Sequence, residues 1–247
     1  MSDAPDSGPP DGGTERRALV VTAHPDDAEF GSAGTVAGWV ADGWTVTYCV
    51  LTDGDAGGFD PAVLRTDIGG IRRLEQEAAA REIGVADVRF LGYTDGSLEA
   101  SPDVVRDLVR VIRQVRPTRI LIQSTERDWH HIGRSHPDHL AAGEAAIRAV
   151  YPFARNPFAF PELLADEDLD TWTVAETWVV AGPAPDHFVD ITDRFDRKIA
   201  SLSRHESQIS DLDELTVRLR GFHLENARAG GLPDGRLAES FNVYSTA

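Results

Sequence analysis

Cysteine, basic residues and long apolar runs are all scarce in this chain of 247 residues. The single cysteine, Cys49, excludes an intrachain disulfide, and its place in an apolar run predicts a buried, unreactive thiol. Asp and Glu (41) outnumber Lys and Arg (24), and the formal charge of −17 argues against binding to a nucleic-acid backbone, which needs clustered cations. No apolar segment reaches the roughly 20 residues that a membrane-spanning helix needs. We therefore expect a cytoplasmic protein without a membrane span.

The N-terminal segment also lacks the charged-then-apolar layout of a signal peptide. Residues 1–16 are instead rich in Pro, Gly, Asp and Ser, a composition that predicts a flexible tail. From residue 17 onward no shift in composition marks a linker, and the length suits one α/β domain. Residues 17–247 are therefore predicted to form a single domain.

Short apolar runs rich in β-branched residues alternate with helix-like periods along the first part of the chain. Strands are predicted at 17–23, 45–51, 88–92 and 118–124, and helices at 28–41, 68–83, 102–116 and 137–150. Continuous apolar strands joined by helical crossovers predict an α/β fold of Rossmann-like type, with a mostly parallel sheet flanked by helices. Later, two shorter strands within 173–182 and 187–192 and a mostly helical stretch at 193–230 predict a C-terminal elaboration on the same sheet.

A histidine, a proline and two aspartates follow the first predicted strand directly. In open parallel sheets, ligands bind beyond the carboxyl ends of the strands, where His24, Asp26 and Asp27 are expected to lie. Burying two neighbouring carboxylates would raise at least one pKa through like-charge repulsion, and a divalent metal ion removes that problem. The alternative is that Asp26 or Asp27 only caps the following helix.

A second cluster, His136, Asp138 and His139, also follows a predicted strand and precedes a predicted helix. Both clusters fall at the same edge of the predicted sheet, so His24, Asp27 and His139 could meet there. Two imidazoles and one carboxylate form the ligand set of a catalytic zinc site that keeps one position open. An open position favours a hydrolytic enzyme.

The pairing of AHPDD at residues 23–27 with HPDH at residues 136–139 resembles the LmbE/PIG-L family of zinc-dependent de-N-acetylases. This family includes enzymes that act on N-acetylglucosaminyl-inositol and on mycothiol and bacillithiol precursors. The resemblance covers most of residues 17–245. It also includes, in order, LTDGDAGG at 51–58, RRLEQEAAAREIGV at 72–85 and LGYTDGSL at 91–98, while HESQI at 205–209 and AESF at 238–241 are similar to C-terminal segments of actinobacterial members.

The resemblance implies that His24, Asp27 and His139 bind a Zn²⁺ ion, which Fe²⁺ could replace in a site of nitrogen and oxygen ligands. Asp26 would be the general base that takes a proton from the metal-bound water, whose pKa zinc can lower to about 7. The reaction implied is attack of that water on an amide carbonyl.

The resemblance also implies roles for the residues around the predicted ligands. His136 would stabilise the oxyanion of the tetrahedral intermediate or protonate the leaving amine, and Asp138 would orient a histidine through its ring N–H. Arg72 and Asp95 resemble family positions that contact the sugar or its anionic group. For Arg72 the alternative is an exposed ion pair with Glu75, one turn along the same helix.

Several other polar residues have two interpretations each. Glu29 is either an acid at the start of a helix or a substrate contact. His130 and His131 are expected to be loop residues near the mouth of the pocket, with a second metal site as the alternative. Trp129 beside them is either a loop anchor or a surface for a sugar ring or an acyl group. His205 is expected to be structural, although it could approach the pocket.

The predicted function is removal of an N-acyl group, most simply acetyl, from a small-molecule amino-sugar conjugate by a zinc-dependent hydrolase of linear amides. One alternative is cleavage of a larger amide, such as a thiol conjugate of mycothiol, by the same metal chemistry with a roomier acyl pocket. The other is a catalytically idle, metal-binding accessory protein of a biosynthetic pathway.

Overall fold

The computed structural model describes residues 16–58, 60 and 62–247. The predicted flexible tail, residues 1–16, lies outside the described residues except for Arg16, whose carbonyl accepts a hydrogen bond of 2.8 Å from the backbone N–H of Thr45. The described part of the chain contains seven strands and seven α-helices. The strands are β1 Arg17–Thr22, β2 Thr45–Thr52, β3 Asp87–Tyr93, β4 Arg119–Gln123, β5 Glu176–Val180, β6 His187–Asp190 and β7 Ala238–Ser245. The helices are α1 Asp27–Ala41, α2 Arg65–Glu82, α3 Pro102–Val115, α4 Pro137–Arg148, α5 Pro161–Ala165, α6 Phe195–Leu202 and α7 Leu212–Ala229.

The strands form one sheet in the order β3-β2-β1-β4-β5-β7-β6. The first five strands in this order pair in parallel, with β1 between β2 and β4. Strand β7 pairs antiparallel with both β5 and β6. The predicted fold class, a Rossmann-like and mostly parallel sheet with a C-terminal elaboration, is confirmed.

The apolar run of strand β1 is uninterrupted because β1 contributes side chains to the cores on both faces of the sheet. Leu19 and Val21 belong to the core beneath α3 and α4, whereas Ala18 and Val20 belong to the core that contains α1 residues. Because successive side chains of a strand point to opposite faces, a sheet covered on both faces needs apolar residues at every position. Cys49 lies in the first of these cores, and its burial raises the pKa of its thiol to about 12, as expected for an unreactive cysteine.

The C-terminal half contains an element that the sequence pattern did not predict. Strand β7, with the sequence AESFNVYS, carries polar residues at several positions and only Phe241 as a large buried apolar side chain. The predicted helical stretch 193–230 divides into α6 and α7, and α6 packs against α1 and α2. The second half of the chain therefore contacts α1, which begins at the first motif, and α2.

A fully buried ion pair connects β7, α6 and α1. Lys198 Nζ lies 2.7 Å from Glu239 Oε1, and both side chains are inaccessible to solvent. Glu239 also accepts hydrogen bonds from the backbone N–H groups of Gly34 and Thr35, and Lys198 donates to the carbonyl of Phe30. Both members of the pair therefore have further hydrogen-bond partners in the protein, which offset the cost of burying their charges.

No helix among the described residues is both long enough and apolar enough to span a bilayer.

Candidate metal centre and active site

Three of the predicted site residues lie where parallel strands end and helices begin. His24 follows β1, Asp27 is the first residue of α1, and His139 is in the first turn of α4, which follows β4. Because β1 and β4 are neighbours in the sheet, their carboxyl ends bring the two motifs together. The structure therefore places the three predicted metal ligands side by side.

The distances among these side chains are short. His24 Nδ1 lies 3.2 Å from His139 Nε2, and Asp27 presents Oδ1 at 3.1 Å from His139 Nε2 and Oδ2 at 3.5 Å from His24 Nδ1. One ligand atom from each residue falls within 4.8 Å of the other two. The Asp27 carboxylate is fixed by hydrogen bonds from the backbone N–H of His24 and the side-chain amide of Gln123.

The other nitrogen of each imidazole is bonded away from this point. His24 Nε2 lies 3.1 Å from Asp95 Oδ1 and 3.3 Å from Asp138 Oδ2, and His139 Nδ1 lies 3.4 Å from the carbonyl oxygen of Arg134. A histidine ligand is usually oriented in this way, by an acceptor on its outer nitrogen. The donor set and its support therefore fit a divalent cation bound by two nitrogens and one carboxylate.

The charges in the site also favour a cation. Burial alone would lower the pKa of His24, but hydrogen bonds and charge from Asp27 and Asp95 raise it to about 10. Burial would likewise lower the pKa of His139, and Asp27 raises it. Burial would raise the pKa of Asp27, but His139 and His24 hold it well below its usual value. The carboxylates thus stabilise positive charge where the ligand atoms converge.

Asp26 occupies a left-handed backbone conformation, with φ of 91°, and its side chain makes no capping bond to α1. The capping interpretation is therefore wrong for Asp26. Its Oδ2 accepts a 3.0 Å hydrogen bond from Arg72 Nη2, and its backbone N–H donates to Gln76 Oε1 at 2.8 Å. Burial and the charge of Asp27 raise the pKa of Asp26 to about 7, against the opposing charge of Arg72.

Arg72 is almost fully buried, with 4% of the residue exposed. Besides Asp26, its guanidinium donates to the carbonyl oxygens of Gly54 and Pro25, at 2.9 and 2.6 Å. The alternative of an exposed ion pair with Glu75 is wrong, because Glu75 instead accepts hydrogen bonds from Ser207. Arg72 therefore connects the loop after β2 to the turn that carries Asp26.

Asp95 and Asp138 are both buried beside His24. Asp95 Oδ2 accepts a 3.0 Å hydrogen bond from the backbone N–H of Ala56. Asp138 accepts from the backbone N–H groups of Gly96 and Leu98, at 2.7 and 3.3 Å. The turn after β3 is thereby tied to the start of α4, and Asp138 contacts the outer nitrogen of a histidine, namely His24.

His136 is the N-cap residue of α4, and its Nδ1 accepts a hydrogen bond from the backbone N–H of Asp138 at 3.2 Å. The proton of a neutral His136 ring is therefore on Nε2. Its ring centroid lies 5.1 Å from that of His24 and 5.5 Å from that of His139. Desolvation and the charge of His24 lower the pKa of His136.

Some residues near the site were missed or left open by the sequence interpretation. Gln76 lies one helical turn after Arg72, and this i, i+4 spacing was the available signal. Glu29 is an acid in the first turn of α1, as one of its two interpretations has it, and it is fully buried against Gln76 and His205. His205 is buried as expected of a structural histidine. Gln123, a polar residue ending an apolar strand, supports Asp27.

The loop before the second motif is organised by Asp128. Its Oδ1 accepts from the backbone N–H groups of His130 and His131, and its Oδ2 lies 3.1 Å from His131 Nδ1. Among the described residues, the clusters able to hold a metal ion include neither histidine. A second grouping, His24 with His136 and Asp138, shares His24 with the first. Trp129 is exposed on this loop.

The chain is similar to known proteins in sequence and in structure. A family model described as PIG-L, GlcNAc-PI de-N-acetylase, matches residues 19–150. Diacetylchitobiose deacetylase of Thermococcus kodakarensis is 33% identical over 198 residues, which cover 79% of this chain and 71% of that protein. A probable N-acetyl-alpha-D-glucosaminyl L-malate deacetylase 2 of Bacillus cereus is 32% identical over 207 residues, covering 82% and 88% of the two chains. The solved structure of N,N'-diacetylchitobiose deacetylase from Pyrococcus horikoshii in complex with an inhibitor superposes with a TM-score of 0.85 at 28% identity, covering 94% of this chain and 84% of the other.

Proposed function

Because the chain belongs to the PIG-L family of de-N-acetylases, which the paired motifs resembled, we propose that it is a zinc-dependent hydrolase that releases acetate from an N-acetylated amino-sugar conjugate. The observation that carries this proposal is the convergence of His24, Asp27 and His139, next in sequence to Asp26, whose carboxyl group is influenced by the charge of Asp27. The relatives named above act, according to their names, on acetylated sugars. The same class of substrate is proposed here.

His24, Asp27 and His139 would hold the metal ion. When bound, a divalent metal polarises an acyl carbonyl and makes water acidic enough to be activated near neutral pH. Zinc is the proposed ion, and Fe²⁺ is the alternative that two imidazoles and a carboxylate also accept. Asp95 and Asp138 orient His24 through its Nε2 atom, as the contacts at 3.1 and 3.3 Å support.

Asp26 is proposed as the general base. Arg72 holds its Oδ2 atom, and its raised pKa of about 7 is suited to taking a proton from the attacking water and giving it up again. As the water oxygen bonds to the acyl carbon, its proton passes to Asp26. The carbon–nitrogen bond then breaks, and the same proton goes to the leaving nitrogen, so that an amine and acetic acid result, and the acid ionises to acetate.

His136 is proposed to stabilise the oxyanion. Its Nδ1 is occupied by the backbone N–H of Asp138, so a neutral ring has Nε2–H available as a donor. The lowered pKa of His136 keeps the ring neutral at physiological pH. The sugar contacts of Arg72 and Asp95 stay predictions. Both side chains already bond to protein atoms, so a sugar would have to share or replace these bonds.

The proposal is tested by measuring acetate release after chelation and after restoration with Zn²⁺, or with Fe²⁺ under anaerobic conditions. The substrates are N,N'-diacetylchitobiose, N-acetylglucosaminyl malate and N-acetylglucosaminyl inositol, with wild type, Asp26→Asn and His139→Ala compared on each. We expect release by the metal-restored wild type and its loss in both variants. Release of a larger acyl group alone would support an amidase, and no turnover on any substrate would support the idle accessory protein.

A further inference from the structure

Buried polar side chains run in a line from Asp26 to the C-terminal half of the chain. The backbone N–H of Asp26 donates to Gln76 Oε1 at 2.8 Å, and Gln76 Nε2 donates to both oxygens of Glu29 at 3.0 Å. Glu29 Oε2 in turn lies 3.3 Å from His205 Nε2. Gln76, Glu29 and His205 are each completely inaccessible to solvent. We call these three residues the Gln76–Glu29–His205 relay.

The contacts orient the Gln76 amide. The backbone N–H of Asp26 only donates, so the amide oxygen of Gln76 faces Asp26 and its NH₂ group faces Glu29. On the other side of Glu29, the tautomer of His205 with its proton on Nε2 donates to Glu29 Oε2. Nδ1 of His205 has no hydrogen-bond partner among the described residues, so Glu29 is the polar contact that holds this ring.

Asp26 needs such support because its backbone is in the left-handed region, with φ of 91°. This conformation is unfavourable for most residues other than glycine, and although Asp adopts it more readily than most, contacts with the surroundings help to hold it. Arg72 restrains the carboxylate of Asp26, whereas Gln76 restrains its backbone N–H. Both restraints come from α2, and the second one continues through Glu29 to His205 in the C-terminal half.

The relay joins three separate elements. Glu29 is on α1, Gln76 is on α2, and His205 is in the turn that follows α6. The turn is itself fixed, because the backbone N–H of His205 donates to Leu202 and its carbonyl accepts from Gln208 and Ile209. A buried amide, carboxylate and imidazole are costly to leave unpaired, so the hydrogen bonds that join these three side chains favour this one arrangement of the three elements.

From these contacts we infer that Gln76, Glu29 and His205 are positioning residues, which hold Asp26 in its left-handed conformation and so aim its carboxylate at the reacting water. The inference rests on the proposed function, in which Asp26 is the general base. One of the positioning residues, His205, then lies beyond residue 150, where the family match ends.

The test compares His205→Leu, which removes the donor, with His205→Gln, whose amide NH₂ restores it. The matched control is His223→Leu, because His223 is also a buried histidine of the C-terminal half but bonds to the carbonyl of Ala238. We expect His205→Leu to lower kcat roughly 10- to 100-fold with KM changed by less than about threefold, since a small displacement of a reacting group has effects of this size. His205→Gln should recover most of kcat, and His223→Leu should retain kcat within about twofold under conditions where it is folded.

A second measurement does not depend on turnover. Hydrogen exchange in the metal-free protein should be faster at the Asp26 amide in His205→Leu and in Gln76→Met than in wild type, while Zn²⁺ affinity measured against a chromophoric chelator stays the same. Gln76→Met also decides the question if His205→Leu does not fold. Unchanged exchange and kcat in these variants, or an equal loss of kcat in His223→Leu, would overturn the inference. A wild type without metal-dependent deacetylation would refute the proposed function instead, and the exchange rates would still test the relay.

Discussion

Nδ1 of His24 and Nε2 of His139 face each other at 3.2 Å, although 115 positions separate the two residues in the chain. Asp27 Oδ1 lies 3.1 Å from the same nitrogen of His139. Two imidazole nitrogens and a carboxylate oxygen directed at one point could hold a shared cation.

Metal addition should therefore stabilise the folded protein. Zn²⁺ added to chelator-treated protein at 100 times its dissociation constant should raise the free energy of unfolding by about 2.7 kcal/mol, because it binds the native state alone. The measurement is thermal or urea unfolding with and without Zn²⁺. His139→Ala should abolish the gain and His130→Ala should keep it, since His130 lies in neither cluster of possible ligands. An equal gain in His139→Ala would contradict the assignment of the site.

Asp26→Asn should reduce kcat by about 10²- to 10⁴-fold, because the amide cannot take the proton of the attacking water. Zn²⁺ affinity should be retained, since Asp26 is not among the three residues that would hold the ion. Steady-state kinetics and a metal-binding titration check the two parts. Asp103→Asn, an exposed aspartate of α3, is the control and should have wild-type kinetics. Loss of zinc along with activity would point to a ligand role instead.

Lys198→Met should destabilise the protein by about 3–5 kcal/mol, because it leaves the carboxylate of Glu239 buried without its cation. Urea unfolding monitored by tryptophan fluorescence gives the change. Arg148→Met removes an exposed ion pair with Glu144 and should cost less than about 1 kcal/mol. Equal effects in the two variants would show that the buried pair has no special contribution.

His223 should make stability depend on pH. Burial and the charge of Lys198 lower its pKa to about 4, and its Nδ1 donates to the carbonyl of Ala238. The folded pKa thus lies below the unfolded value of about 6.5. As pH falls from 6.5 toward 4, the unfolded state gains a proton that the native state does not, so the free energy of unfolding decreases by up to about 1.4 kcal/mol per pH unit.

The variant His223→Gln should remove this contribution and flatten the decline between pH 6.5 and 4. Urea unfolding at half-unit intervals from pH 4.5 to 7 measures the slope. His130→Gln, at an exposed loop histidine, serves as the control and should keep the wild-type slope. A decline in His223→Gln as steep as in wild type would assign the pH dependence to other groups.

The sequence pattern was sufficient where local signals and sheet geometry agree. Strand β1 was evident from its unbroken apolar run, and the rule that ligands bind at the carboxyl ends of parallel strands brought His24 together with His139. Strand β7 was missed because polar residues interrupt it, among them the buried Glu239, so neither periodicity nor an apolar run marks it. Its place in the sheet depends on pairing with residues about 50 to 70 positions earlier in the chain.

The sequence could not predict the contacts of Arg72, Gln76 and His205 for a similar reason. Their partners lie far away in sequence, with 46 positions between Arg72 and Asp26 and 176 between His205 and Glu29. A helical pattern shows which residues share a face, but not which buried acid on another element that face will contact. Sequence reasoning therefore named Asp138 as a residue that orients a histidine, but it missed Gln76 and Gln123.

Strand β7 lies between β5 and β6, both of which precede it in the chain. Without residues 238–245, β5 has one unpaired edge, and β6 has no neighbour among the described strands. Open edges of this kind are templates for pairing between molecules. A chain shortened before residue 238 should consequently aggregate, because its sheet is incomplete, although it contains all three predicted metal ligands.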